Sequence, residues 1–331
     1  MKSILVSLLI VLFYSGCTKK VSIYATQPAK VDKISKYKKV AVLNFENDTM
    51  GLSQKVESKV YEAKFDNKSF FTVVNVSNRK DIINEQKFQY SGLVNKDNII
   101  EVGNLIGAQS LITGKINNTS FTKSYYREKR TRCNDKKCKS VSEYSVSCTK
   151  GTYLLSATIS VTNVEFGDIL YTNNFNESAA AYHCSDYSGG LPSKKEAMNS
   201  LAIDIVNGFI PNIAPTKVKF YVELLDDPEV DYTDEQEDLL EYAAEYLHDK
   251  RIDKSEQLLS KLLTSTNDSC YVAAYNLGII KEIKGEYKKA QQLYQLADNL
   301  VLEPNELINK AVLRIEKTIS DFETLNEQSK I

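Results

Sequence analysis

The 331-residue sequence predicts an α/β domain, a sheet with packed helices, followed by an all-α helical-repeat domain. Three observations carry that expectation. Between residues 38 and 116 the hydrophobic pattern alternates strand, helix, strand, helix, helix, strand, the order of helices layered on a sheet. Two further strands, residues 152–175, flank a turn at Glu165-Phe166-Gly167-Asp168. Beyond residue 233 the apolar residues recur only at helical spacing. Net charge is −1 and 42% of residues are hydrophobic, an ordinary globular composition with no polyanion-binding signature. No nucleic-acid partner is expected.

Each element has its own signal. "KKVAVLNFEN" (38–47) reads as a buried strand ending in turn residues. In "LSQKVESKVYEAKF" (52–65), Leu52, Val56, Val60 and Ala63 share one helical face. "SFFTVVNVS" (69–77) is the second strand, after which Asn78 caps a helix carrying Ile82, Ile83 and Gln86. Asp97 opens another helix, closed by Gly103 or Gly107, and "AQSLITGKI" (108–116) returns to strand. In "LLSATISV", alternation puts Leu155, Ala157, Ile159 and Val161 on the covered face and Leu154, Ser156, Thr158 and Ser160 on the other. Ser193 and Glu196 make a capping box for a helix with the stripe Met198, Leu201, Ile205 and Phe209. Pro211 and Pro215 are expected to end the domain.

The first residues read as an export signal: Lys2, then an apolar run from Ile4 to Phe13 too short to span a bilayer. Tyr14-Ser15-Gly16-Cys17 resembles the bacterial lipobox. That resemblance implies cleavage before Cys17, acylation of its thiol and new amino end with fatty acids such as palmitate, and, with Thr18 next, an outer-membrane destination facing the periplasm. The expected organisation is signal peptide 1–16, acylated Cys17 and tether 17–36, α/β domain 37–215, acidic linker 216–232 and helical repeats 233–320.

"VAVLNFEND" (40–48), "FFTVVNVSNRKDIINEQ" (70–86) and "IGAQSLITGKI" (106–116) resemble the CsgG-like superfamily of bacterial outer-membrane lipoproteins (CsgG/LpoB-like domain). Phe71, Val73, Val74, Arg79, Ile82, Ile83, Glu85 and Gln86 fall on one family pattern, and Gln109 replaces an Asp in another. These motifs imply fold rather than activity. Residues 274–304 resemble a tetratricopeptide repeat at Leu277, Gly278, Gly285, Tyr287, Ala290, Tyr294 and Ala297. A weaker copy, with Ala243, Ile252, Ser255 and Leu259, lies 35 residues earlier. Stacked helix pairs of this kind present a groove to partner segments.

Chemistry of the enzymatic kind is hard to assemble. His183 adjoins Cys184, and neighbours on a strand point to opposite faces, which disfavours a nucleophile–base pair. His248 is the other histidine, and no Walker loop, H-E-x-x-H or G-x-S-x-G occurs. Neither catalysis nor a cofactor or metal is expected. Export places the cysteines in an oxidising compartment, where disulfides persist. Cys133-x4-Cys138 lacks the second pair a zinc site needs. If the later hairpin turns near Phe166-Gly167, Cys148 lies opposite residue 185, beside Cys184. The expected bonds are Cys133–Cys138, across the turn Asn134 to Lys137, and Cys148–Cys184, with Cys270 free and buried; four cysteines allow three pairings.

Between them lies a basic hairpin, residues 119–150, with Lys123, Arg127, Lys129, Arg130, Arg132, Lys136 and Lys137 as candidate contacts to an anionic surface or partner. Arg127 and Lys129 share one face, while Glu128, Arg130 and Arg132 share the other. A pore-forming hairpin would need an apolar face toward lipid, and this one has none. The sequence therefore points to a non-enzymatic lipoprotein that scaffolds, assembles or regulates a cell-envelope machine through protein contacts. The alternative is a component of an export apparatus for fibres or polysaccharide, a homo-oligomeric ring without membrane-spanning hairpins.

Overall fold

The computed structural model describes residues 19–75, 96–226 and 232–330. The signal peptide, Cys17, the Asp97 side chain and the helix after Asn78, with Arg79, Ile82, Ile83, Glu85 and Gln86, lie outside the described residues. Two compact units divide the chain. One comprises the described residues through Ala25 with Lys217–Ser320, the other Thr26–Thr216 with Asp321–Ile331.

The second unit is the α/β one. Its five-stranded sheet contains β2 (Lys39–Val42), β5 (Thr72–Val73), β6 (Ser110–Cys133), β7 (Val141–Asn163) and β8 (Ile169–Cys184), in the order β5-β2-β6-β7-β8. β3 (Lys64–Phe65) and β4 (Lys68–Ser69) form a separate antiparallel pair. β2 runs parallel to β5 and β6, whereas β6, β7 and β8 are antiparallel. Val40 and Val42 join one apolar cluster with α1 (Leu52–Glu62) and α3 (Lys194–Ile213). Ala41 and Leu43 join another with α2 (Lys96–Ile106). Alternate residues of a strand face opposite ways, so helices cover both faces of β2 and its run is continuously apolar. Leu155, Ala157, Ile159 and Val161 are all buried in the first cluster.

Local chemistry explains the helix ends. The Asp48 carboxylate accepts from the backbone N–H of Leu52 and Ser53 and from the Ser53 hydroxyl, each at 2.9 Å, and so starts α1. Partial burial alone would raise this carboxyl. The N–H groups of Ser53 and Leu52, the Ser53 hydroxyl and the Met50 N–H outweigh it and hold the group below its ordinary value. Ser193 and Glu196 form the reciprocal capping pair of α3. α2 ends where Gly107 takes φ 71°, while Gly103 lies within the helix at a point where any Cβ would collide with Val164.

Several expectations need correction. β2 and β5 are shorter than the predicted 38–47 and 69–77. The helix whose apolar stripe was followed to Phe209 runs on through Pro211 to Ile213. Beside the proline, the Asn212 amide donates to the Gly208 and Phe209 carbonyls, so these groups are satisfied in the last turn. Where an irregular tether was expected, residues 20–27 form strand β1 (Lys20–Gln27). It pairs with β9 (Thr216–Glu223), which occupies part of the predicted acidic linker.

The helical unit contains α4 (Asp234–His248), α5 (Ile252–Ser265), α6 (Tyr271–Ile283), α7 (Tyr287–Leu300) and the first part of α8 (Glu306–Ser329). Val21, Ile23, Val222 and Leu224 of the two-stranded ribbon are buried among these helices. Small residues set the helix spacing. Ser255 is fully buried and donates to the Ala243 carbonyl at 2.7 Å, and a Cβ on Gly278 would stand 2.5 Å from the Tyr294 ring. Leu277, Ala290 and Ala297 are buried, Tyr287 packs against the same core, and Gly285 turns the chain at φ 74°.

A buried ion pair crosses this unit. The Glu282 carboxylate accepts from Tyr294 Oη at 2.8 Å and from Arg314 Nη2 at 3.0 Å. Burial, with Glu282 beside it, raises the Tyr294 phenol well above its usual range. Arg314→Met is expected to cost about 3–5 kcal/mol in urea unfolding, since Glu282 loses its counter-charge, and Glu282→Leu added to it should recover most of the loss. A single variant as stable as the wild-type protein would contradict this role.

Candidate functional site: a basic hairpin arm

β6 and β7 do not stop at the core. Buried β6 side chains end at Ile116, yet the ladder continues from Asn118↔Ser156 to Cys133↔Val141, where a strand had been expected only to residue 116. At ~3.3 Å per residue the 24-residue β6 is roughly 80 Å long if straight. Phe121 stacks on Tyr153, whose hydroxyl donates to the Pro192 carbonyl at 2.6 Å; beyond this layer the strands form an arm.

The arm has two different faces. Tyr126, Glu128, Arg130 and Arg132 lie opposite Cys148, Val146, Tyr144 and Ser142, and Cys148 in turn opposes Cys184. Val146, Cys148 and Cys184 are buried, with Tyr144 packed against them, a small core remote from the main one in register. Arg130 seals it: its Nη1 is 2.7 Å from Asp186 Oδ2 and its guanidinium 4.8 Å from the Tyr187 ring. Partial desolvation works against the Arg130 charge, but Tyr187, Glu128 and Asp186 raise its affinity for the proton above the ordinary value. Arg132 donates from Nε to Ser142 and lies over Tyr144.

The opposite face carries Tyr125, Arg127 and Lys129, paired in register with Thr149, Ser147 and Ser145. Tyr125 is 77% exposed and Arg127 is also exposed; Lys129 is 3.6 Å from Glu143 in a solvent-exposed pair, a weak one by its setting. At the tip, residues 134–140 connect the strands, longer than the four-residue turn expected. The Asp135 carboxylate accepts from Lys137, Lys139 and Ser140 N–H groups. The Lys139 and Ser140 N–H groups depress its pKa most, against slight desolvation, with Lys137 adding to them. Lys136 and Lys137 project into solvent. Lys123 sits nearer the base, 5.4 Å from the Phe121 ring.

The structure thus divides the seven basic candidates. Arg130 and Arg132 are engaged within the arm. Arg127, Lys129, Lys136 and Lys137 form its outward charge, with Lys123 at the base. Asp186, Tyr187, Glu143 and Tyr125 were not singled out from sequence. The first two could have been found by extending the register past Cys184.

Cys133 is bonded to Cys138 and Cys148 to Cys184, and Cys270 is free and buried. Glu128, Cys148 and Cys184 bring ligand-type atoms within 4.8 Å, but the two sulfurs are bonded to each other and neither is a thiolate ligand. His183 faces Thr149 across the ladder, and His248 is the exposed last residue of α4. A cleft of about 590 Å³ at the start of α3 is lined by Thr49, Met50, Thr119, Lys194, Lys195 and Glu196, among others. Glu196 is already engaged in the helix cap. None of these places pairs a nucleophile with a base.

Because the Cys148–Cys184 bond closes a separation of 36 residues and the Cys133–Cys138 bond one of 5, chain entropy ranks them. Replacing Cys148 and Cys184 with Ser is expected to cost about 4 kcal/mol of arm stability, and replacing Cys133 and Cys138 about 2 kcal/mol. Chemical unfolding followed by a probe on the arm checks the order; a reversed order would contradict it.

Comparison with known proteins follows the same segment. Among the described residues no helix is long and apolar enough to cross a membrane. No curated protein matches the sequence. Lipoprotein GNA1162 from Neisseria meningitidis aligns at 11% identity over 51% of this chain and 95% of its own, with TM-score 0.26. The LpoB C-terminal domain from Salmonella enterica aligns at 10% over 45% and 95%, with TM-score 0.25. The PelC dodecamer from Paraburkholderia phytofirmans aligns at 11% over 59% and 98%, with TM-score 0.27. The family model described as "Peptidoglycan-synthase activator LpoB" matches residues 21–133, the part of the chain that holds the 40–48, 70–86 and 106–116 motifs. The LpoB family match is thus confined to residues 21–133, a segment within a longer chain, and ends at the tip of the arm.

Proposed function

We propose that the chain is a non-enzymatic, periplasm-facing outer-membrane lipoprotein that docks on an envelope enzyme and regulates it, with the basic arm as the docking element. The observation that carries this reading is the match of residues 21–133 to a family of peptidoglycan-synthase activators. Activation of a separate enzyme requires a surface for that enzyme, and the arm supplies one. Its outer face sets Arg127 and Lys129 beside an exposed tyrosine on the β6–β7 ladder. Such a rigid, amphipathic and charged patch suits an acidic protein partner, because Tyr and Arg are the residues that anchor interfaces. Tetratricopeptide-like packing of α4–α7 would add a second contact surface of the kind stacked helix pairs offer. Cys17, acylated, would hold the chain at the outer membrane.

The test is direct. Purified acylated protein is titrated into glycan-polymerisation assays of the peptidoglycan synthases of the same bacterium. The expected result is a rate increase whose half-maximal concentration rises about tenfold, ~1.4 kcal/mol, in Arg127→Glu/Lys129→Glu. The wild-type interaction should also weaken with added salt. An unchanged synthase rate at saturating protein would overturn the regulatory reading; an unchanged midpoint in the charge-reversed variant would remove the arm from it.

A further inference from the structure

The ribbon β1–β9 stands unusually close to the acylation site. Leu224 N–H already donates to the Lys19 carbonyl at 2.9 Å, so Lys19 is fixed to the helical unit. Only Thr18 separates Lys19 from Cys17. At about 3.5 Å per residue, an acylated Cys17 reaches no more than roughly 7 Å from that fixed point. A lipid-anchored chain with so short a leash cannot hold this ribbon clear of the membrane surface.

The ribbon's two faces differ accordingly. Val21, Ile23, Val222 and Leu224 point inward and are buried. Tyr24 is 61% and Tyr221 65% exposed on the outside. Lys219 lies between them, its Nζ 5.8 Å from the Tyr24 ring and 4.9 Å from the Tyr221 ring, and Lys217 is exposed two residues earlier on the same strand. Lys20 is paired with Glu223 at 2.8 Å. An exposed aromatic pair flanked by lysines is the composition of a membrane–water interface: tyrosine places its ring at headgroup depth with the hydroxyl in water, and lysine meets anionic phosphate.

We propose that the outward face of the β1–β9 ribbon rests on the lipid headgroups beside acylated Cys17, with Tyr24 and Tyr221 in the interface and Lys217 and Lys219 against anionic lipid. This rests on the lipoprotein reading above and names what the anchor brings to the surface. The fatty acids and the ribbon then act as two membrane signals on one short segment, and the helical unit lies directly at the bilayer.

The chain has no tryptophan, so a single replacement makes a unique reporter. Tyr24→Trp and Tyr221→Trp are introduced separately into the full acylated chain. Each is reconstituted in vesicles of phosphatidylethanolamine and phosphatidylglycerol, with or without lipid brominated near the glycerol backbone. Mass spectrometry establishes the state of Cys17, and circular dichroism the fold. Both reporters are expected to shift to the blue in vesicles and to be quenched about twofold by the brominated lipid. Lys217→Glu/Lys219→Glu should reduce that quenching. Acylated protein whose two reporters keep their detergent emission and escape quenching overturns the ribbon proposal and leaves the lipid anchor standing. An unacylated Cys17 overturns both.

Discussion

The antiparallel ladder of β6, β7 and β8 is the constraint on which the α/β unit depends. It begins against the core helices, where Leu155, Ala157 and Ile159 are sealed from solvent, and continues without changing partner past Ile116, the last buried side chain of β6. A free two-stranded hairpin of this length would be marginal in water. Here the arm inherits its register from a core that cannot slip, because a one-residue shift would turn every apolar side chain of β7 outward. At the transition, Asn117 sits at the one irregularity of the β6–β7 ladder, and its amide donates to Thr158 and Asn174, tying three strands together. The Cys148–Cys184 bond then ties β7 to β8, and the Arg130–Asp186 pair ties β6 to the segment after β8, beyond the core.

Register also explains what was legible in the sequence. Counting back from a turn at Phe166-Gly167 places Cys148 against residue 185, whereas the structure opposes it to Cys184 itself. The hairpin turns one residue earlier than that count assumes, with Thr162 opposite Ile169, which moves the partner of Cys148 back by two. The irregularity between Val161 and Thr162 puts one extra residue in β8 and returns it by one, and neither leaves a trace in composition. The arm's strands were harder to see than those of the core. Alternation marks a strand only when one face is buried, and from Thr122 to Cys133 both faces meet solvent or a small local cluster. Polar, basic sequence there reads as loop although the backbone continues in the ladder with β7.

The reverse error occurred at β1. "KVSIYATQ" does alternate, with Val21 and Ile23 inward and Lys20 and Tyr24 outward, but its partner β9 is some two hundred residues away, and neither segment looks like a hairpin. Long-range pairing of short strands leaves no local turn signal to read. In the helical unit the legible positions were the small ones, Ser255, Gly278, Ala290 and Ala297, since close helix approach restricts residue size. The Glu282–Arg314 pair spans helices with no fixed spacing between them, so only the folded packing joins it.

These physical features are the ones the proposed contact role draws on: a charged arm continuous with its sheet, and a ribbon whose first strand begins at Lys20, shortly after Cys17. The central claim is that the arm is a continuation of the core sheet and not a flexible loop. Amide hydrogen exchange on the oxidised protein tests it most directly. The continuous ladder predicts slow exchange at those amides of residues 122–133 and 141–150 that bond across it, alternating along the free edge of β6 with amides that face solvent. Exchange at unprotected rates from Thr122 outward would contradict it.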